Sequence, residues 1–100
     1  MKNALELAQA YGVTIEYADL GEWGRAQLRS EYDPYGPVIR INGRVVAQLD
    51  TTERDDFIAH CIFHELYHHR EAIGEIRRQH GRRAREAAAE AYARAMLALR

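Results

Sequence analysis

The run His64-Glu65-Leu66-Tyr67-His68 constrains this chain more than any other feature. It lies in a stretch of helical period, and on an α-helix residues four apart differ by only about 40° in azimuth and one turn in height. Both imidazoles therefore leave one face and can grip a single metal ion. Glu65 lies beside them, within reach of a water activated there. Five His and ten Glu in 100 residues give a chance expectation of about 0.02 for this pattern, so a plain solvated His/Glu face is the minor reading.

Composition bounds what such a helix can belong to. One hundred residues suit one small domain spanning 1–100. Hydrophobic residues are 47% and charged residues 29%, which excludes a disordered chain. A net charge of −1 gives no global attraction for nucleic acid or acidic membranes. Cys61 is the single cysteine, so no intramolecular disulfide forms and a reducing compartment fits. The N-terminal MKNALELAQAYG carries Glu6 and Gln9 where a signal peptide would be apolar. No run approaches the ~18 apolar residues of a membrane span. The expectation is a cytoplasmic protein.

The hydrophobic pattern predicts an α+β fold. Residues 2–11 read as a helix with Ala4, Leu5, Ala8 and Tyr11 on one stripe and Gly12 as its stop. Residues 13–17 alternate as a strand, and 26–32 form a second. Trp23, between Gly21 and Gly24, is either a core anchor or an exposed loop aromatic. Asp33-Pro34-Tyr35-Gly36-Pro37 is a strong turn and residues 38–41 a clear strand. Asn42-Gly43 predicts a hairpin into residues 44–49, giving a small, mostly antiparallel sheet. From Asp50 the period becomes helical, with Asp50, Thr51 or Thr52 as cap and acidic residues in the first turn. This helix runs from about Thr52 to the low 70s and ends near Gly74. Its apolar arc is Ile58, Ile62, Leu66 and Ile73, with His64 and His68 at its flanks. Residues 83–99 form an Ala-rich helix able to approach it closely.

A catalytic zinc normally takes three protein ligands and one water. Extension of the motif by G-x-x-H is excluded, because the chain has Glu71 and Gly74 at those places. No Asp follows Asp56, which removes an aspartate ligand downstream. The remaining candidates are His69, Glu71, Glu75, His80, Glu86 and Glu90; His69 faces about 100° away from His68 and Glu75 lies two turns along the same helix. Glu86 and Glu90 stand one turn apart on the second helix, as a ligand and a supporting carboxylate would. Two His from one helix and a Glu from the next make a gluzincin arrangement, of the zincin-like kind.

The C-terminal half resembles the ImmA/IrrE-type metallopeptidases, in which H-E-x-x-H is followed by E-x-x-A-[ND]-x-F-A. The second block here reads Glu86-Ala87-Ala88-Ala89-Glu90-Ala91-Tyr92-Ala93. Glu90 stands where that pattern has Asn or Asp, and Tyr92 where it has Phe. Upstream, residues 8–13 and Ile39-Arg40-Ile41-Asn42 look like the family's leading helix-strand and I-x-I-N segments. The resemblance implies that His64, His68 and Glu86 bind Zn2+ and that Glu65 is the general base. It also implies a protein substrate of the transcriptional-repressor kind.

Several other residues have plainer readings beside functional ones. His60, one turn before His64, is a surface histidine, a support for the ligands or, with Glu90, an alternative ligand. Cys61 reads as a buried thiol, and Tyr67 and Tyr92 as packing residues that could also donate to an oxyanion. Arg77, Arg78, Arg82, Arg83 and Arg85 read as a solvated turn, with nucleic-acid binding disfavoured. The expected activity is zinc-dependent hydrolysis of peptide bonds. Its rival is a catalytically silent zinc-binding interaction module, in which the metal staples a marginal core. A protein partner or homodimer stays compatible with either.

Overall fold

The computed structural model describes residues 3–23 and 26–99, with backbone alone at 22, 23, 26 and 27. The side chain of Trp23 therefore lies outside the described residues. Helix α1 (Ala4–Ala10) is capped by Asn3, whose side chain accepts the Glu6 amide at 2.8 Å. Gly12, at φ +71°, ends it by turning the Gly12 and Val13 amides back to the carbonyls of Gln9 and Ala8. Ala4, Ala8 and Val13 are buried, and strand β1 (Thr14–Ala18) follows directly.

A two-stranded antiparallel ladder, β2 (Glu22–Trp23) and β3 (Ala26–Gln27), precedes β4 (Ser30–Asp33) and β5 (Val38–Asn42). The strand expected over 26–32 is thus two pieces, interrupted at residues 28 and 29. Within the three-stranded sheet the order is β1-β5-β4. The turn at residues 34–37 brings β5 back antiparallel to β4, with Ser30 opposite Ile41 and Asp33 opposite Val38. That return slides β5 beside β1 in the same direction, with Thr14 opposite Val38 and Ala18 opposite Asn42. The sheet is mixed: antiparallel pairing holds for β4–β5 and β2–β3 and not for β1.

The Asn42-Gly43 hairpin does not form. A two-residue hairpin of that sequence needs positive φ at both positions, whereas Asn42 has φ −68° and Gly43 is not among the positive-φ glycines. Asn42 instead caps a short helix, α2 (Gly43–Val46), accepting the Arg44 amide at 3.1 Å, so residues 44–49 add no strand. Its fully buried side chain also accepts the Leu20 amide (3.3 Å) and donates to the carbonyls of Leu28 (2.6 Å) and Gly21 (3.3 Å). The amide's hydrogen-bonding capacity goes to closing three loop segments around the end of β5.

Helix α3 (Thr51–Ala72) starts at Asp50, whose carboxylate accepts the Glu53 amide at 2.9 Å. It ends where Gly74, at φ +77°, lets the Gly74 and Glu75 amides reach the carbonyls of Glu71 and Arg70. Ile62, Phe63 and Leu66 are buried on the sheet face formed by Ile39 and Ile41, each burial contributing roughly 1.5–3 kcal/mol. Ile73, expected on that apolar arc, is half exposed because the helix has already reached its C-cap there. Helix α4 (Arg82–Ala98) packs on α3 through buried Ala89 and Ala93, whose small side chains permit close approach. Among the described residues no helix is long and apolar enough to cross a membrane.

Candidate metal centre

Helix α3 packs between the sheet and α4, and this sandwich sets which way each part of the motif faces. His64 and His68 emerge on the α4 side, with ring centroids 5.3 Å apart. Glu65, offset by about 100°, turns inward and is buried, where its Oε2 accepts the Ser30 hydroxyl at 2.7 Å. One ligand atom from each of His64, Glu65 and His68 falls within 4.8 Å of the others, a group able to hold a metal ion.

Glu86 approaches the two histidines from α4. Its Oε2 is 2.8 Å from His64 Nε2 and its Oε1 is 3.4 Å from His68 Nε2. The second distance is within ion-pair range but poorly aligned as a hydrogen bond. His68 Nε2 is the one buried side-chain polar atom without a hydrogen-bond partner among the described residues. A buried nitrogen left in that state normally costs about 1–3 kcal/mol. A cation between the two Nε2 atoms and the Glu86 carboxylate would satisfy it. Two imidazoles and a carboxylate are also the donor chemistry of a catalytic zinc. The residues present therefore fit a metal ion.

The opposite nitrogens of both rings are held by carboxylates. His68 Nδ1 lies 2.9 Å from Glu71 Oε1, and His64 Nδ1 lies 3.2 Å from Glu90 Oε1. An ionised carboxylate only accepts, so these contacts suit a proton on each Nδ1, and with a cation beside Glu86 each Nε2 would present its lone pair. Burial pushes the Glu71 carboxyl up, but His68 and Arg85 outweigh it and hold it below its ordinary range. Burial likewise raises Glu90, while hydrogen bonds from His60 and His64, with Arg94, bring it down to about 2. Glu86 is lowered too, its histidine contacts overcoming desolvation. Glu65 moves the other way: burial raises it, against the Ser30 hydrogen bond and the nearby His64 and His68 charges.

The structure brings together His64, Glu65, His68 and Glu86, with Glu90 and His60 behind His64. Glu90 contacts the outer nitrogen of His64 and also His60 Nε2 (2.8 Å), so it braces the His64 ring. Tyr67 and Tyr92 pack against each other at 5.8 Å, and the Arg70 guanidinium lies 5.2 Å from the Tyr92 ring. Buried Cys61 has its thiol pushed up to about 11 by desolvation. His69 points away into the core, where Nδ1 meets the Tyr32 hydroxyl at 2.7 Å.

Three roles had no part in the sequence reading of the site: Ser30 against Glu65, Glu71 (there a candidate ligand) as the support of His68, and Arg85 against Glu71 at 3.3 Å. The i, i+3 spacing of His68 and Glu71 on one helix face is a signal that could have found the second. Ser30 and Arg85 are brought in by tertiary packing alone. A cleft of about 1010 Å³ opens over the group, walled by the edge strand β4 on one side and by α4 on the other. Comparison with protein-family models, curated proteins and solved structures finds no match to this chain.

Proposed function

We propose that this protein is a zinc-dependent metallopeptidase with the gluzincin arrangement of the ImmA/IrrE type. The observation that carries the reading is the convergence of His64 Nε2 and His68 Nε2 on the two oxygens of Glu86, with buried Glu65 beside them. His64, His68 and Glu86 would hold the ion. Zinc bound there supplies a Lewis acid that polarises a scissile carbonyl and acidifies water.

The chain's own residues supply the rest. Glu65 takes the proton of the attacking water and returns it to the leaving amine. Its burial raises its affinity for that proton, and the Ser30 hydroxyl fixes the carboxylate's orientation. Among the described residues strand β4 pairs only with β5, and its other edge suits an extended peptide held by backbone hydrogen bonds. A protein substrate, a transcriptional repressor among the candidates, suits a cleft open along a strand edge. A cytoplasmic setting suits the lone buried thiol of Cys61.

The test combines metal content with turnover. Purified protein should contain one zinc per chain, and His64→Ala should lose it by elemental analysis. Glu65→Gln keeps the shape and should retain the zinc while losing cleavage of a protein substrate by roughly 10²–10⁴-fold. Retention of zinc by His64→Ala would overturn the site. Zinc binding with no cleavage by the wild type would leave the interaction-module reading in its place.

A further inference from the structure

The carboxylates and cations that line the cleft are unequally matched. Glu31 pairs with Arg40 at 3.4 Å, Glu71 with Arg85 at 3.3 Å and Glu90 with His60 at 2.8 Å. Glu86 turns to His64, and Glu65 accepts the Ser30 hydroxyl. Arg29 is held 5.3 Å over the Phe57 ring. Arg78 and Arg82 line the same cleft and are exposed, with no carboxylate partner among the described residues. The chain offers them none nearby: no acidic residue lies between Glu75 and Glu86, and Glu75 is engaged by Tyr11 and Arg70. Glu86, one turn beyond Arg82, faces the histidines instead.

We infer that Arg78 and Arg82 form a subsite for a peptide carboxylate, so that the cleft selects acidic segments. The inference rests on the peptidase reading for its ligand being a peptide. Two guanidiniums on one wall match a carboxylate better than any neutral side chain, because a fork of donors binds it with charge and geometry together. Arg77 and Arg83 belong to the same basic stretch but do not line the cleft. They are an internal control that separates a subsite from general attraction.

The experiment measures binding by fluorescence polarisation to the zinc-loaded Glu65→Gln protein, so that turnover does not enter. The probes are a labelled, C-terminally amidated peptide rich in Glu, its Gln counterpart, and that Gln peptide with a free C-terminus. The Glu peptide should bind roughly tenfold tighter than its amidated Gln counterpart, as two ion pairs to exposed guanidiniums allow at low ionic strength. In the Arg78→Gln/Arg82→Gln double variant the preference should shrink to within about twofold, and in Arg77→Gln/Arg83→Gln it should persist. A preference confined to the free C-terminus, and lost in the same double variant, assigns the subsite to a terminal carboxylate. Equal binding of all three peptides, or equal loss in both double variants, overturns the inference. So does a single-stranded oligonucleotide that outcompetes the Glu peptide through Arg78 and Arg82. Failure of wild-type protein to cleave would count against the peptidase reading and leave these binding results unchanged.

Discussion

His68 Nδ1 lies 2.9 Å from Oε1 of Glu71, one turn further along α3. Glu71 is itself buried and is tied at 3.3 Å to Arg85 on α4. The chain Arg85–Glu71–His68 therefore fixes the proton on Nδ1 and aims Nε2 at Glu86. Helix α4 acts on the centre twice, directly through Glu86 and indirectly through Arg85.

Removing that support should weaken the metal without deleting a ligand. Glu71→Ala is expected to lower zinc affinity by about 10–100-fold, the usual effect of losing a group that orients a ligand. Arg85→Leu should have a smaller effect in the same direction, since Glu71 would remain on His68. Competition against a chromophoric chelator measures both. Wild-type affinity in Glu71→Ala would show that His68 is oriented by something other than this carboxylate.

Asn42 is a separate structural commitment. Its buried amide closes the chain around β5 by two accepted and two donated hydrogen bonds. Asn42→Ala leaves those backbone partners unsatisfied and should cost about 1–3 kcal/mol in urea unfolding. Asn42→Asp should be worse, because it places a carboxylate oxygen where Nδ2 now faces the carbonyls of Gly21 and Leu28. Equal stability of the wild type and Asn42→Ala would mean that water replaces the amide without loss.

The same residue shows what a sequence can and cannot tell. Asn42-Gly43 carries the local signature of a hairpin turn, yet the backbone there is decided by the loops that converge on Asn42. Parallel pairing of β1 with β5 is equally non-local, because it depends on where the return from β4 inserts. By contrast, the ends of α3 were legible, since Asp50 and Gly74 act within their own turns. The His64, Glu65 and His68 group was legible for the same reason: helical spacing alone brings it together. The choice between Glu86 and Glu90 depends on the register of α4 against α3, which no local pattern encodes.

Glu75, just past the end of α3, is tied to Tyr11 at the end of α1. Its carboxylate accepts the Tyr11 hydroxyl at 2.9 and 2.7 Å and Arg70 Nε at 3.2 Å. The Tyr11 hydrogen bond, aided by Arg70 and against some desolvation, holds its pKa below the ordinary carboxylate range. A carboxyl depressed on folding stabilises the protein above its unfolded pKa of about 4.3, and that contribution disappears as pH falls through the folded value. Glu75→Gln should therefore melt below the wild type at pH 7 and converge with it toward about pH 3. A gap that stays constant across thermal melts at both pH values would assign the contact to packing, not charge.

Glu86 and Glu90 are distinguished by which nitrogens they meet. Glu86 reaches the Nε2 atoms of both motif histidines at 2.8 and 3.4 Å, whereas Glu90 meets His64 at Nδ1 and His60 at Nε2. An ion at His64, His68 and Glu86 would clamp α3 to α4, and a ligand bound only by the folded state stabilises it by mass action. At zinc a hundredfold above its dissociation constant this is about 2.7 kcal/mol, or roughly 10–20 °C in melting temperature for a domain of this size. Chelation should lower the wild-type melting temperature by that order, and added zinc should restore it. Glu86→Ala should melt alike with and without zinc, while Glu90→Ala should keep a reduced zinc-dependent shift. The reverse pattern would make Glu90 the ligand and place the register of α4 one turn away. A wild-type melt unchanged by confirmed metal removal would show that the helix pair holds together without the ion.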